Sequence, residues 1–292
     1  MLPALFLVLA QAATDNGASL SPAVQRLVET RATLPAGEFV RRIEALALTG
    51  DASAAEMAGE GSQFGGLGWS VDQPRACDWF ERAAATRGDS AHNLALCHET
   101  GRGRPQDKAQ ARRLYAQAIG LGWVQAKCAL GTMLVSGSGG PADVGRGLTL
   151  CREAAEAGNA NAQTDYGTYL LLGQALPRDP VAARRWFLAA AGQNQANAAM
   201  LLGQMLWHGD GGTADPEGAA KWFEVAYDHG RKDAAAFLAR AAFRRAAPDG
   251  KVVDRSAVPD AIRWLRIAAA EDPDPEKRAG FAKTLKEIGA EN

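Results

Sequence analysis

Between Ala162 and Asp233 one pattern of about thirty-six residues is written twice. The first copy carries Ala162, Tyr166-Gly167, Leu170 and Gly173, then Asp179-Pro180, Ala182-Ala183, Trp186-Phe187 and Ala189-Ala190. The second follows in step as Ala198, Leu202-Gly203, Leu206 and Gly209, then Asp215-Pro216, Ala219-Ala220, Trp222-Phe223 and Ala226. A unit of this length cannot bury its apolar face alone, so copies must stack, each touching only its neighbours. The period therefore predicts an all-α fold, a right-handed α/α solenoid of helix-turn-helix repeats.

The other turns of the array appear once an aromatic or apolar residue of the second helix is used as a ruler. It falls at Trp79, Leu114, Leu150, Trp186, Trp222 and Trp264, with gaps of 35, 36, 36, 36 and 42. In five units an Asp stands seven residues earlier, at Asp72, Asp107, Asp143, Asp179 and Asp215, where its side chain can cap the second helix. Gly101-x-Gly103, Gly137-x-Gly139 and Gly209-x-Gly211, with Gly173 alone, punctuate the pairs, the first Gly ending a helix in the left-handed conformation. Gly131, Gly167 and Gly203 in first helices, and Ala154-Ala155, Ala189-Ala190 and Ala268-Ala269 in second helices, mark close approaches. A helical Gly costs about 1 kcal/mol against Ala, so three at one register imply a packing reason. On this register Trp186 and Trp222 belong to the core, and truncating either to Ala is expected to cost roughly 3–5 kcal/mol.

The ends depart from the pattern. Residues 21–53 read as two capping helices, the first opened by Ser21-Pro22, the second directing Phe39, Val40, Ile43, Leu46 and Leu48 to one face. Six repeats occupy 54–270. The first helix of the first unit reads as weak, because Gly59, Glu60 and Gln63 fall at key positions. The sixth carries an insertion whose polar loop, 248–256, is expected to be mobile. Residues 271–292 form a C-terminal capping helix with Phe281, Leu285 and Ile288.

These residues resemble the Sel-one-like repeats, a subtype of the tetratricopeptide class. Ala198, Leu202-Gly203, Gly209-x-Gly211, Asp215, Ala219, Trp222-Phe223 and Gly230 follow the family pattern closely. His98, Leu134, Leu170 and Leu206 stand where the family usually has Tyr. The resemblance implies an adaptor in signalling or envelope assembly. A fold carries many functions, so the site must be argued separately.

A net charge of −1, without a long run of Lys and Arg, gives no electrostatic support for binding nucleic acid or an anionic membrane. The run from Met1 to Ala12, ending small-x-small, resembles a secretory signal over residues 1–13, although it lacks a basic leader. Export to the periplasm or beyond is one reading; an apolar first helix of a cytoplasmic protein is the other. Beyond that run nothing is long and apolar enough to span a bilayer. Cys77 with Cys97, and Cys128 with Cys151, fall on neighbouring helices, and disulfides or plain core thiols both fit.

Chemistry is harder to place. His92, His98, His208 and His229 have no partner at metal-ligand spacing, so no metal and no cofactor is expected. The Gly-rich turns lack the Lys-Ser/Thr of a phosphate loop, and there is no nucleophile elbow. The expectation is a non-catalytic scaffold that takes a peptide or protein partner on the concave face; the alternative is an envelope enzyme acting on peptidoglycan or a β-lactam. On the concave face Leu171, Leu172, Trp207 and Phe243 would form an apolar strip, with His208, Arg240 and Arg244 beside it. Ordinary helix packing with a slightly different rotation is the competing reading.

Overall fold

The computed structural model describes residues 19–247 and 257–290, which contain fifteen α-helices. Two precede the repeats, α1 (Pro22–Thr30) and α2 (Ala36–Leu48), separated by a short 3-10 turn. Three pairs follow: α3 (Ala52–Phe64) with α4 (Gln73–Ala83), α5 (Gly88–Thr100) with α6 (Lys108–Gly120), and α7 (Ala126–Ser136) with α8 (Val144–Glu156). Three more complete the array: α9 (Ala160–Leu172) with α10 (Pro180–Ala191), α11 (Ala196–His208) with α12 (Pro216–Asp228), and α13 (Ala234–Ala246) with α14 (Ala257–Glu271). The last helix is α15 (Pro275–Glu287). Among the described residues there is no strand, only an isolated bridge between Gly66 and Trp69. The chain divides into two compact units, Met1–Cys151 and Arg152–Asn292. The signal-like run and the loop 248–256 lie outside the described residues.

The repeated Asp does two jobs in every unit that has it. At Asp72, Asp107, Asp143, Asp179 and Asp215 a carboxylate oxygen accepts the backbone N–H three residues on, at 2.8–3.1 Å. The backbone N–H of the same Asp donates to the carbonyl of Ser62, His98, Leu134, Leu170 or Leu206 in the first helix, at 2.7–2.9 Å. One residue thus starts the second helix and ties it to the first. Gly101, Gly137, Gly173 and Gly209 end the first helices in the left-handed conformation.

Of the ruler residues Trp79, Leu114 and Trp264 are buried, but in the fourth and fifth repeats the core differs from the expected register by one residue. Trp186 and Trp222 are only half-buried, whereas Phe187 and Phe223, the residues after them, are fully buried. The glycines opposite explain the choice. A Cβ on Gly167 would lie 2.9 Å from the Phe187 ring, and one on Gly203 would lie 2.6 Å from the Phe223 ring. The absent side chain of the first helix is the space the ring of the second occupies. Gly59 stands in the same relation to Phe80, at 2.4 Å. Trp186 instead meets Tyr166 edge-to-face with ring centroids 5.8 Å apart, and Ala189 is exposed while Ala190 and Ala191 are buried.

Two other expectations fail at the N-terminal end. Helix α3 is not weak: it runs a full thirteen residues from the cap at Asp51, with Ala54, Ala55, Met57 and Ala58 buried. Gly59 is tolerated there because Phe80 needs its space. Leu48 is exposed, since Ala47 takes the inward position beside Phe39 and Ile43. At the other end Leu285 is buried but Ile288, at the end of α15, is exposed.

Cys77 is bonded to Cys97 between α4 and α5, and Cys128 to Cys151 between α7 and α8, leaving no free thiol. The sequence separations are 20 and 23, so each bond is expected to stabilise the fold by about 3 kcal/mol through loop closure in the unfolded chain. Because Cys77 and Cys151 are fully buried, dithiothreitol should reduce little under native conditions and both bonds in denaturant. Urea titrations of oxidised and reduced protein check this; coincident midpoints would contradict it.

Candidate functional site

In the C-terminal unit the ends of α9, α11 and α13 carry the residues of the expected strip. Leu172 is 53% exposed, Phe243 is 36% exposed, and His208 is exposed, while Leu171 is half-buried against the core. Trp207 breaks the strip. It is only 8% exposed and belongs to the core with Leu202, Met205 and Leu206. The indole reaches the edge of that core, where two arginines cover it: the guanidinium carbons of Arg240 and Arg244 lie 5.2 and 5.4 Å from a ring centroid of Trp207. Spaced i,i+4 on α13, the two cations share one face of the helix. The indole supplies the attraction that two like charges lack. What the structure brings together is an Arg240–Trp207–Arg244 platform, with Leu172, His208 and Phe243 as the exposed members of the set.

Arg244 also lines a cleft of about 370 Å³ with an apolar floor that includes Ala220, Leu238, Ala241 and Trp264. Glu217, Glu224, Arg245 and Asp260 stand around it, and Arg245 is paired with Asp260 at 3.2 Å.

The N-terminal unit holds a polar cluster that the sequence reading passed over. Glu56 of α3 is buried and accepts hydrogen bonds from the Ser90 hydroxyl and from Asn93 Nδ2, the latter at 3.2 Å. Beside it the Asp89 carboxylate pairs with Arg87. Burial pushes the Glu56 carboxyl well above the usual carboxylate range, and the charges of Asp89 and Glu60 add to the effect. The same causes, desolvation and then Asp89, raise Glu60 to about 7. Desolvation holds His92, packed 5.2 Å from the Tyr115 ring, down to about 4. The signal available was an acidic residue at position 56 inside a run of buried Ala and Met, and amphipathic reading ranks such a residue as solvent-facing. Ser90 is no candidate nucleophile here: it is fully buried and its hydroxyl is committed to Glu56.

The raised Glu60 carboxyl fixes the sign of a pH effect. The folded chain keeps a proton that the unfolded chain releases above pH 4.5, so this contribution is present below that pH and is lost as pH rises through about 7. At 1.36 kcal/mol per unit it amounts to ~3 kcal/mol at most. The depressed His92 acts in the opposite sense: its contribution is present above pH 6.5 and lost as pH falls through about 4. Glu60→Gln should therefore flatten the fall in stability between pH 5 and pH 8. Urea unfolding of both proteins at the two pH values checks it, and equal pH slopes would contradict it.

Among the described residues no group of His, Cys, Asp and Glu is placed to hold a metal ion, and no helix is long and apolar enough to cross a membrane. Stacked pairs of Asp-capped helices with Gly facing an aromatic ring define a helical-repeat solenoid. The Sel1 repeat family model matches residues 52–85, 88–123, 124–159, 160–195, 196–230 and 249–273, and the chain belongs to that family. The structure is similar to that of a Sel1 repeat protein from Oxalobacter formigenes, with TM-score 0.68 and 20% identity over 87% of this chain and 100% of the other. It is also similar to a protective antigen of uropathogenic Escherichia coli, with TM-score 0.62 and 24% identity over 96% of this chain and 59% of the other. An immunity protein from Pseudomonas aeruginosa aligns with TM-score 0.50 and 17% identity over 72% of this chain and 83% of the other. At these identities the likeness is one of fold. No curated protein matches the chain in sequence. Sel1-repeat proteins are typically protein-interaction scaffolds, and the fold is typically non-enzymatic.

Proposed function

We propose that the chain is a non-catalytic scaffold that binds a peptide or protein partner on the concave, first-helix side of its C-terminal unit. The observation that carries this is the platform formed by Trp207 with Arg240 and Arg244, together with Phe243 exposed on the same helix α13 and Leu172 exposed at the corresponding end of α9. Trp and Arg are the residue types that most often dominate binding energy, and a preformed surface loses little entropy when a partner is ordered on it. Leu171 and Trp207 support the site from beneath, and His208 adds a polar edge.

The protein acts in an oxidising compartment, the periplasm or outside the cell, as an envelope or signalling regulator. Two buried disulfides in a chain with four cysteines support that placement, and the apolar run at residues 1–13 resembles a secretory signal.

The test is a pull-down from envelope extract with three proteins: wild type, Leu172→Glu/Phe243→Glu, and Val181→Glu/Leu188→Glu, which alters the exposed apolar residues of the second helix α10. The proposal expects the first pair to abolish capture of the main partner and the second pair to leave it intact. The opposite pattern would move the site to the other side.

A further inference from the structure

Most arginines of the C-terminal unit are already engaged. Arg231 pairs with Asp233, Arg263 with Asp260, and Arg266 donates to the Ala290 carbonyl. Arg184 and Arg185 of α10 are not engaged in this way, but among the described residues only Arg240 and Arg244 converge on one aromatic ring. Neither of these two forms an ion pair or a hydrogen bond with a described residue; their contact is with the Trp207 ring. Glu217, Glu224 and Asp260 share the cleft with Arg244, yet none lies within ion-pairing distance of it. Stacking uses the flat face of a guanidinium and leaves its in-plane N–H donors free. Two exposed, like-charged guanidiniums are thus held one helical turn apart beside one indole, with no donor spent on a partner among the described residues.

Resting on the scaffold reading above, we propose that this platform recognises an acidic peptide segment, in which Asp or Glu carboxylates take the two guanidiniums and adjoining apolar side chains lie against Leu172 and Phe243. Carboxylate geometry matches the guanidinium fork in a two-bond contact, and such charge-assisted bonds are the strong ones. Partner charge also removes the repulsion between Arg240 and Arg244, a gain available only on binding. Leu172 and Phe243 give the segment a second requirement, so a purely acidic chain should bind more weakly than one alternating acidic and apolar residues.

The probe is a short peptide of alternating Glu and Leu bearing a neutral fluorophore, read by anisotropy against the full chain, with a Gln-for-Glu peptide as its isostere. The Glu peptide is expected to bind, the Gln peptide to bind about ten-fold more weakly, and Arg240→Gln/Arg244→Gln to weaken the Glu peptide by about ten-fold or more while leaving the Gln peptide unchanged. Arg240→Lys/Arg244→Lys, which keeps the charge and loses the fork, should fall between. Circular dichroism and melting of each variant establish that α13 is intact, and the Lys pair gives a reading if the Gln pair unfolds. Equal binding of the two peptides, lost together in Leu172→Gln/Phe243→Gln, would overturn the acidic partner and keep the scaffold site. Glu-peptide binding that no variant alters, or no binding of either peptide, would overturn the platform itself.

Discussion

Phe223→Ala is expected to lower the free energy of unfolding by ~3–5 kcal/mol, the usual cost of emptying a buried aromatic site, and Trp222→Ala by clearly less. The Phe223 ring is fully buried and fills the space opposite Gly203, where an added Cβ would sit 2.6 Å away. Relaxation cannot close such a hole easily, because the neighbouring first helix has no side chain at that point to move in. Trp222, the larger residue, is half-buried and loses less apolar contact when truncated. Urea unfolding of the two variants decides the matter. Equal losses, or a larger loss for Trp222→Ala, would show that the ring assignment is reversed.

Gly211→Ala is the second large effect, at ~3 kcal/mol or more. Two penalties act together. The residue sits at φ +72°, where a Cβ is strained, and that Cβ would lie 2.3 Å from the Pro180 carbonyl oxygen at the start of α10. The clash is with backbone, so a side-chain rotation cannot relieve it. Gly139 makes the same approach to the Lys108 carbonyl of α6, at 2.2 Å, which shows what the second glycine of the turn is for: it lets one repeat's loop lie against the preceding repeat's second helix. Gly230→Ala is the control. It has φ +100° but nothing within 4 Å, so only the backbone strain, about 1 kcal/mol, is expected. If Gly211→Ala costs no more than Gly230→Ala in the same titration, the close approach does not constrain the array.

The fold was legible because the pattern couples many positions at one period. Asp179 and Asp215 announce the start of a second helix in each copy; the tie each also makes to the first helix came only with the structure. The register of the core was less legible. Trp186-Phe187 and Trp222-Phe223 place two aromatic residues side by side, 100° apart on the helix, and hydrophobicity alone favours the larger. The discriminating signal was in the other helix: Gly167 and Gly203 mark where a ring must enter. Trp207 was misjudged for a related reason. Its position one step round α11 from Leu206 predicts exposure, but an indole is wide enough to reach the core, and only the tertiary placement of Arg240 and Arg244 shows that it is covered. Glu56 was invisible as a core residue because the groups that make its burial tolerable, Ser90 and Asn93, lie in the next repeat.

The central claim is that a partner is held on the first-helix side of the C-terminal unit. Its most direct measurement places a photo-crosslinking amino acid at Phe243, at Leu172 or at Leu188 in the producing cell, and asks which position captures a protein. Leu172 and Phe243 are exposed on first helices of this unit, and Leu188 is as exposed on α10 as Leu172 is on α9. One shared crosslinked product from Phe243 and Leu172, absent from Leu188, is the predicted result. A product from Leu188 alone would place the partner on the other side and contradict the account.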